Sequence, residues 1–373
     1  MNIISKYFIL GFLLIIIAWT CKDSTQPQPA DCDLGYHPCD YEDTFCCPDT
    51  TSHNFVWEID TLGIYGSIIN DVAIVDENDI WVVGALSVED STMQYPGEKN
   101  YNGAHWNGNS WNFLKIWNPH AELKSIEYFS ENDIWVLGSY PIHWDGTEWT
   151  LYHLTDMGVT PGGLSGKIWA ISPENIYFVG GNGRIVHYDG IDFLKMESNT
   201  IVTLKDIHGT PDGEHVFIAG YDNIGDSIAL ELINGHWVTI YSGDSYYIED
   251  PNSIWGRISS VHTYLDTAYF TTTNGLLKYN YIDYTFQFDG QDQSMFYDYH
   301  FIGTEMNNYN DILLFSRTFS TLHFNGSNWL SDESISDVQS TWTRGCDFKD
   351  NLAVITGYCC GFGHAIVARG SRQ

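Results

Sequence analysis

The side chains that could do chemistry in this 373-residue sequence are its 8 cysteines, 14 histidines and 48 carboxylates. A zinc centre needs ligands that converge at short spacing on a tetrahedral set. Instead, His105, His143, His187, His323 and His364 recur once per stretch of sequence, and His236 falls in a turn. Such histidines are expected to pack beside the aromatic residue that follows them, and no metal site is assigned. No Asp-x-Asp-x-Asp-Gly calcium loop, Gly-x-Ser-x-Gly elbow, phosphate-cradling loop or His-Glu-x-x-His helix occurs. No catalytic residue and no cofactor is therefore assigned. Carboxylate pairs suited to glycoside hydrolysis are recognisable only once the fold supplies their separation.

The 16 Lys and Arg against 48 Asp and Glu give a formal net charge of -32. Polyanion binding rests on clustered basic residues, so nucleic acid is excluded as a partner. Hydrophobic residues make up 43% and aromatics 15%, with 34 Gly, 14 Trp, 24 Tyr and 19 Phe but only 17% charged residues. A disordered acidic chain lacks such apolar content; this composition favours strands and tight turns.

The elements that must position these side chains repeat. A short apolar strand ending in a small residue occurs as Asp79-Ile80-Trp81-Val82-Val83-Gly84, Asp133-Ile134-Trp135-Val136-Leu137-Gly138 and Asn175-Ile176-Tyr177-Phe178-Val179-Gly180. Further copies end at Gly220, Thr272, Ser316 and Gly357, making seven at a mean spacing of about 45 residues, the length of a propeller blade. A second element follows in His105-Trp106-Asn107-Gly108 before Trp111, His143-Trp144-Asp145-Gly146 before Trp149, His187-Tyr188-Asp189-Gly190 before Phe193 and His323-Phe324-Asn325-Gly326 before Trp329. Asn-Gly and Asp-Gly between apolar runs predict type I′ hairpins, with positive φ at both residues. Another strand precedes each apolar one, as in Asp71-Val72-Ala73-Ile74-Val75 and Lys124-Ser125-Ile126-Glu127. The unit is four antiparallel strands. The seventh unit stops after its third strand, His364-Ala365-Ile366-Val367-Ala368-Arg369, while Phe55-Val56-Trp57-Glu58-Ile59-Asp60 matches an unclaimed fourth strand. Pairing the two removes an exposed edge and closes the ring. The expected fold is all-β, a seven-bladed β-propeller over 54–373.

Ahead of it, Lys6 precedes an apolar run over 7–19 that is shorter than the roughly 20 residues of a spanning helix and reads as a signal-peptide core. A polar stretch follows Cys21, so 1–20 are read as signal peptide and 21–53 as a Cys-containing tether. The other cysteines are Cys32, Cys39, Cys46 and Cys47 in the tether and Cys346, Cys359 and Cys360 in the last blade. In an exported chain this clustering predicts disulfides, and seven is odd. Cys46 and Cys47 lie just before the closing strand, so at least one bridge to the last blade is expected. A metal or redox centre built from Cys39, Cys46, Cys47, Cys359 and Cys360 is the competing reading.

The N-terminus resembles a bacterial lipoprotein signal. That resemblance implies lipidation at Cys21 and a membrane partner through the anchor, at the outer membrane or cell surface; Lys22 and Asp23 are similar to the acidic export signals of surface lipoproteins. The repeats resemble kelch-type bacterial propellers, most closely where Val179-Gly180-Gly181 is followed by Tyr188 and Phe193.

Connections between strands one and two, and three and four, are short, whereas 85–103, 155–165, 242–252 and 290–299 are long. The long ones belong to the two connection classes that share a face of a propeller, and insertions on one face mark a binding surface. They carry Tyr246, Tyr247, Glu249, Asp250, Tyr297, Asp298, Tyr299 and His300, the candidate ligand-binding residues. The expected function is a non-catalytic, envelope- or surface-anchored propeller that binds a glycan, peptide or protein. The alternative is an extracytoplasmic polysaccharide-active enzyme using carboxylates or His at the channel mouth. The charge favours neutral or cationic ligands and repels polyanions.

Overall fold

The second strand of every repeat is apolar at nearly every position because it is covered on both faces. Asp311–Ser316 and Leu352–Cys359 are buried along their whole length. In the computed structural model, which describes residues 51–90, 97–222, 226–244, 256–289, 300–335, 341–359, 361 and 363–373, the strands form seven four-stranded antiparallel sheets. Each sheet is one blade of a closed ring, and its second strand lies between the neighbouring blades. Continuous apolar runs are what burial on two faces demands. The first strands, such as Ile258–Tyr264, alternate buried and half-buried residues, and the short fourth strands, such as Trp149–Leu151, are the most exposed. The core is distributed between blades. One cluster joins Ile69 and Val82 of blade 1 to Val354 and Val367 of blade 7, and another joins Val179 of blade 3 to Ile218 and Trp237 of blade 4.

The small residue ending the second strand has a steric cause. A Cβ on Gly84 would run into the carbonyl oxygen of Ile68, and one on Gly357 into that of Trp342, where the incoming first strand passes close by.

The last blade is completed as the repeats require. Phe55–Leu62 pairs antiparallel with His364–Arg372, from Phe55 opposite Arg372 to Leu62 opposite Ala365. This strand is also tied to the blades on either side: Trp57 Nε1 donates to Asp332 of blade 6 at 2.8 Å, and Asp60 accepts from Trp111 of blade 1 at 3.0 Å. Arg369 donates to Asp60 and Glu58, each at 3.0 Å, and lies over the Trp106 ring at 4.0 Å.

Three expectations are corrected. The Asn-Gly and Asp-Gly turns after the third strands are not type I′. Only Gly108, Gly146, Gly190 and Gly326 have positive φ, while the preceding Asn107, Asp145, Asp189 and Asn325 do not. Each of those side chains instead accepts two backbone N–H groups, as Asn107 Oδ1 does from Asn109 at 3.1 Å and Ser110 at 3.0 Å, which closes a four-residue loop. Asn234-Gly235 is a two-residue turn with positive φ at both positions (51° and 78°), so His236 begins the fourth strand of blade 4 and is not a turn residue. The insertion at 85–103 is largely a continuation of its hairpin, with Asp79–Asp90 paired to Gly97–Trp106 through a bulge between Val83 and Leu86.

Cys346 and Cys359 are buried in one core cluster, and Cys346 is a free thiol. Cys21, Cys32, Cys39, Cys46, Cys47 and Cys360 lie outside the described residues.

Candidate functional site

The first strand of each blade is the sheet edge nearest the ring axis, so some of its N–H groups have no ladder partner. Side chains of the preceding blade supply acceptors. Asp71 Oδ2 of blade 1 accepts from Ile126 of blade 2 at 3.0 Å, and Ser125 Oγ of blade 2 from Ile168 of blade 3 at 3.1 Å. Asp206 Oδ2 of blade 4 accepts from Val261 of blade 5 at 3.0 Å, and Asp347 Oδ2 of blade 7 from Ile74 of blade 1 at 2.7 Å. His208 Nδ1 accepts from Thr263 N at 3.2 Å, which leaves the ring proton on Nε2. These polar groups brace neighbouring blades.

Within the braces lies a channel cavity of about 310 Å³, lined by side chains from all seven first strands. Lys167 Nζ donates to Asp71 Oδ1 at 2.6 Å; that carboxylate is 2% exposed and also accepts from Ser125 Oγ at 2.8 Å. The rings of His208 and His262 stack at 3.9 Å, with Trp169 at 5.9 Å from His208. His262 Nδ1 is 3.6 Å from Glu305 Oε2. Burial pushes Glu127 up to about 8, with Asp71 adding repulsion, and pushes Asp347 up to about 6 against the Ile74 hydrogen bond. Glu305 is driven well above the carboxylate range by burial and then by Asp347, while His262 is driven well below its ordinary value by burial and then by His208. The His262–Glu305 contact is therefore one in which burial favours the uncharged form of both partners. His208 falls to about 4 through burial. Burial opposes the charge on Lys167, but Asp71 and Asp206 outweigh it, so Lys167 stays charged.

Of the sequence-predicted binding residues only His300 is described, and it does not line this channel. His300 is exposed with φ of 47°, just before the first strand of blade 6, and its carbonyl accepts from Arg317 N at 3.2 Å. Tyr246, Tyr247, Glu249, Asp250, Tyr297, Asp298 and Tyr299 lie outside the described residues. Third-strand histidines do pack beside aromatic residues, though of the second strand rather than the one that follows them: His105, His143 and His187 stack on Trp81, Trp135 and Tyr177. Four have an acceptor at the start of the second strand: His105 with Asp79 (2.7 Å), His143 with Asp133 (2.9 Å), His187 with Asn175 (2.7 Å) and His323 with Asp311 (2.7 Å), whereas His364 Nδ1 lies 3.2 Å from the Gly63 carbonyl. Among the described residues no group of three or more His, Cys, Asp or Glu could hold a metal.

The channel set Asp71, Glu127, Lys167, Asp206, His208, His262, Glu305 and Asp347 was missed by sequence reasoning. Its signal is a charged residue or histidine set among the apolar residues of each repeat's first strand.

No protein-family model matches the chain, and no curated protein does. Solved structures do. YCF48 bound to D1 peptide superimposes with a TM-score of 0.61 at 15% identity, covering 87% of this chain and 97% of that one. YCF48 from Cyanidioschyzon merolae gives 0.56 at 14%, covering 83% and 98%, and the computationally designed Ika8 protein gives 0.50 at 10%, covering 82% and 98%. At these identities the likeness establishes the fold alone: this chain is a seven-bladed β-propeller.

Proposed function

We propose that the protein is a non-catalytic binding propeller of the cell envelope or surface, anchored through lipid on Cys21, that recognises a peptide, protein or glycan on the face of its long connections. The observation that carries this reading is the use made of the channel carboxylates. Asp71, Asp206 and Asp347 accept backbone N–H groups of adjacent blades, so the strongest charges are engaged in holding the ring rather than grouped around a nucleophile. The structural likeness to a propeller solved with a peptide bound supports a peptide or protein ligand. Tyr246, Tyr247, Tyr297 and Tyr299 are the proposed contacts, because tyrosine combines large apolar area with a polar tip at modest entropy cost.

A second reading is favoured by Glu127 and Glu305. Glu127, which burial raises to about 8, is suited to proton donation near pH 7, and Glu305 is raised in the same direction, as a polysaccharide-active enzyme would require. Peptide and glycan arrays probed with a Cys21→Ser chain separate the two. Retention of an unaltered ligand that is lost in a Tyr247→Ala, Tyr297→Ala variant supports binding. Product release abolished by Glu127→Gln supports catalysis, and parental binding by the double tyrosine variant removes the proposed surface. Mass spectrometry of the mature N-terminus tests the anchor, which is rejected if the chain begins anywhere but Cys21.

A further inference from the structure

In an acidic chain, basic side chains are expected to have acidic partners; at the channel mouth several do not. Lys124 in blade 2 and Lys205 in blade 4 immediately precede the bracing residues Ser125 and Asp206, and Arg344 in blade 7 lies three residues before Asp347. Lys205 is the extra residue of a bulge, since Leu204 pairs with Gly220 and Asp206 with Ala219. Arg344 is likewise extra, between Thr343 opposite Gly357 and Gly345 opposite Thr356. A bulge re-aims its side chain away from the regular alternation. First strands enter from the face of the long connections, so these residues stand at the channel opening on that face. Arg257, preceding the first strand of blade 5, shares the Tyr221 ring with Lys205, at 5.5 Å and 5.0 Å.

Lys124 is paired with Glu122 at 2.6 Å. Among the described residues no carboxylate ion-pairs with Lys205, Arg257 or Arg344. Arg257 also has a buried Nε–H with no acceptor among them. Burial lowers the pKa of Lys205, the nearby charges of Arg344 and Lys124 lower it further, and Asp222 opposes them without forming an ion pair with it, so cations from blades 2, 4 and 7 act on one another at this mouth.

We propose that this mouth is a carboxylate-binding site in which Lys205, Arg257 and Arg344 hold the single terminal oxyanion of a ligand. Guanidinium pairs bind carboxylates with two parallel N–H donors, and the missing acceptor of Arg257 is what such a ligand supplies. A monoanion is selected over a dianion because Asp71 and Asp206 lie just below, and the surrounding net charge opposes further negative groups. The net charge had excluded polyanions; this site admits one carboxylate within that restriction. The proposal rests on the recognition role of this face, but simple anions test it separately from any peptide or glycan array.

The mature chain is titrated with N-acetylglycine, its neutral amide and sulfate at matched ionic strength, following arginine side-chain NMR signals and thermal melting. N-acetylglycine should shift the Arg257 and Arg344 signals while the amide does not, and a Lys205→Gln, Arg344→Gln variant should bind it at least about tenfold more weakly. Without anion that variant should melt no lower than the parent, because like charges have been separated; an Arg317→Gln control should bind as the parent does. Equal response to acid and amide, retention of binding in the double variant, or a lower melting temperature of that variant without anion overturns the proposal. Tighter binding of sulfate than of N-acetylglycine overturns the carboxylate assignment.

Discussion

Two sets of histidines occupy this propeller, and their contrast shows how position in a blade governs chemistry. On the third strands, His105, His143 and His323 each meet an aspartate that opens the adjacent second strand. On the first strands, His208 and His262 stack on each other in the channel, where burial lowers both pKa values. The outer set is a repeated staple between strands two and three. The inner set, with Glu127 and Glu305, forms a polar lining whose titration burial in the ring shifts towards the uncharged forms.

The largest expected effect tests the outer set at its most buried member. Asp311 and His323 are each 3% exposed, and Asp311 also accepts from Arg372 at 2.6 Å. Asp311→Ala leaves a buried guanidinium without its carboxylate and should cost about 3–5 kcal/mol by denaturant unfolding. Asp79→Ala, where the aspartate is 33% exposed, should cost about 1 kcal/mol or less. Equal losses would show that the staple does not depend on burial.

A smaller effect is expected where the ring closes. Arg369→Ala removes the contact over Trp106 and the bonds to Asp60 and Glu58, and should cost about 1–2 kcal/mol in the same measurement. No loss would mean that strand pairing alone holds the seam.

The inner set is tested by pH. Glu127, at about 8 in the folded chain, holds its proton more tightly than when unfolded, so its contribution is present at low pH and is lost as pH rises towards 8. His208, lowered to about 4, acts oppositely: its contribution is gained as pH rises from about 4 to 6.5. Between about pH 6.5 and 8 only the carboxyl term remains, and the melting temperature should fall by about 2 °C. Glu127→Gln should flatten that slope; an unchanged slope would assign it elsewhere. The smallest effect is expected for His143→Gln, on a half-buried outer staple, at about 0.5–1 kcal/mol.

The blade count, the strand order within a blade and the closing partner of the last blade were legible because each follows from a pattern that recurs in the chain. That the outer histidines pack against aromatic residues was legible for the same reason, although the second-strand aromatics they stack on and their acceptors were not singled out. Turn chemistry was misread at Asn107-Gly108 and its counterparts, because a side chain accepting two N–H groups closes a longer loop that a dipeptide rule does not anticipate.

The sequence by itself determined the architecture, since apolar period, turn spacing and the unclaimed Phe55–Leu62 strand are local properties of a repeated chain. Only the tertiary structure decided which polar residues share a site. Asp71 and Lys167 are separated by 96 positions yet meet at 2.6 Å, and the charge of Arg344 in blade 7 acts on Lys205 in blade 4. Ring closure brings the unpaired inner edges of seven strands around one axis, so their side chains must brace the next blade or line the channel; no spacing along the chain records that convergence.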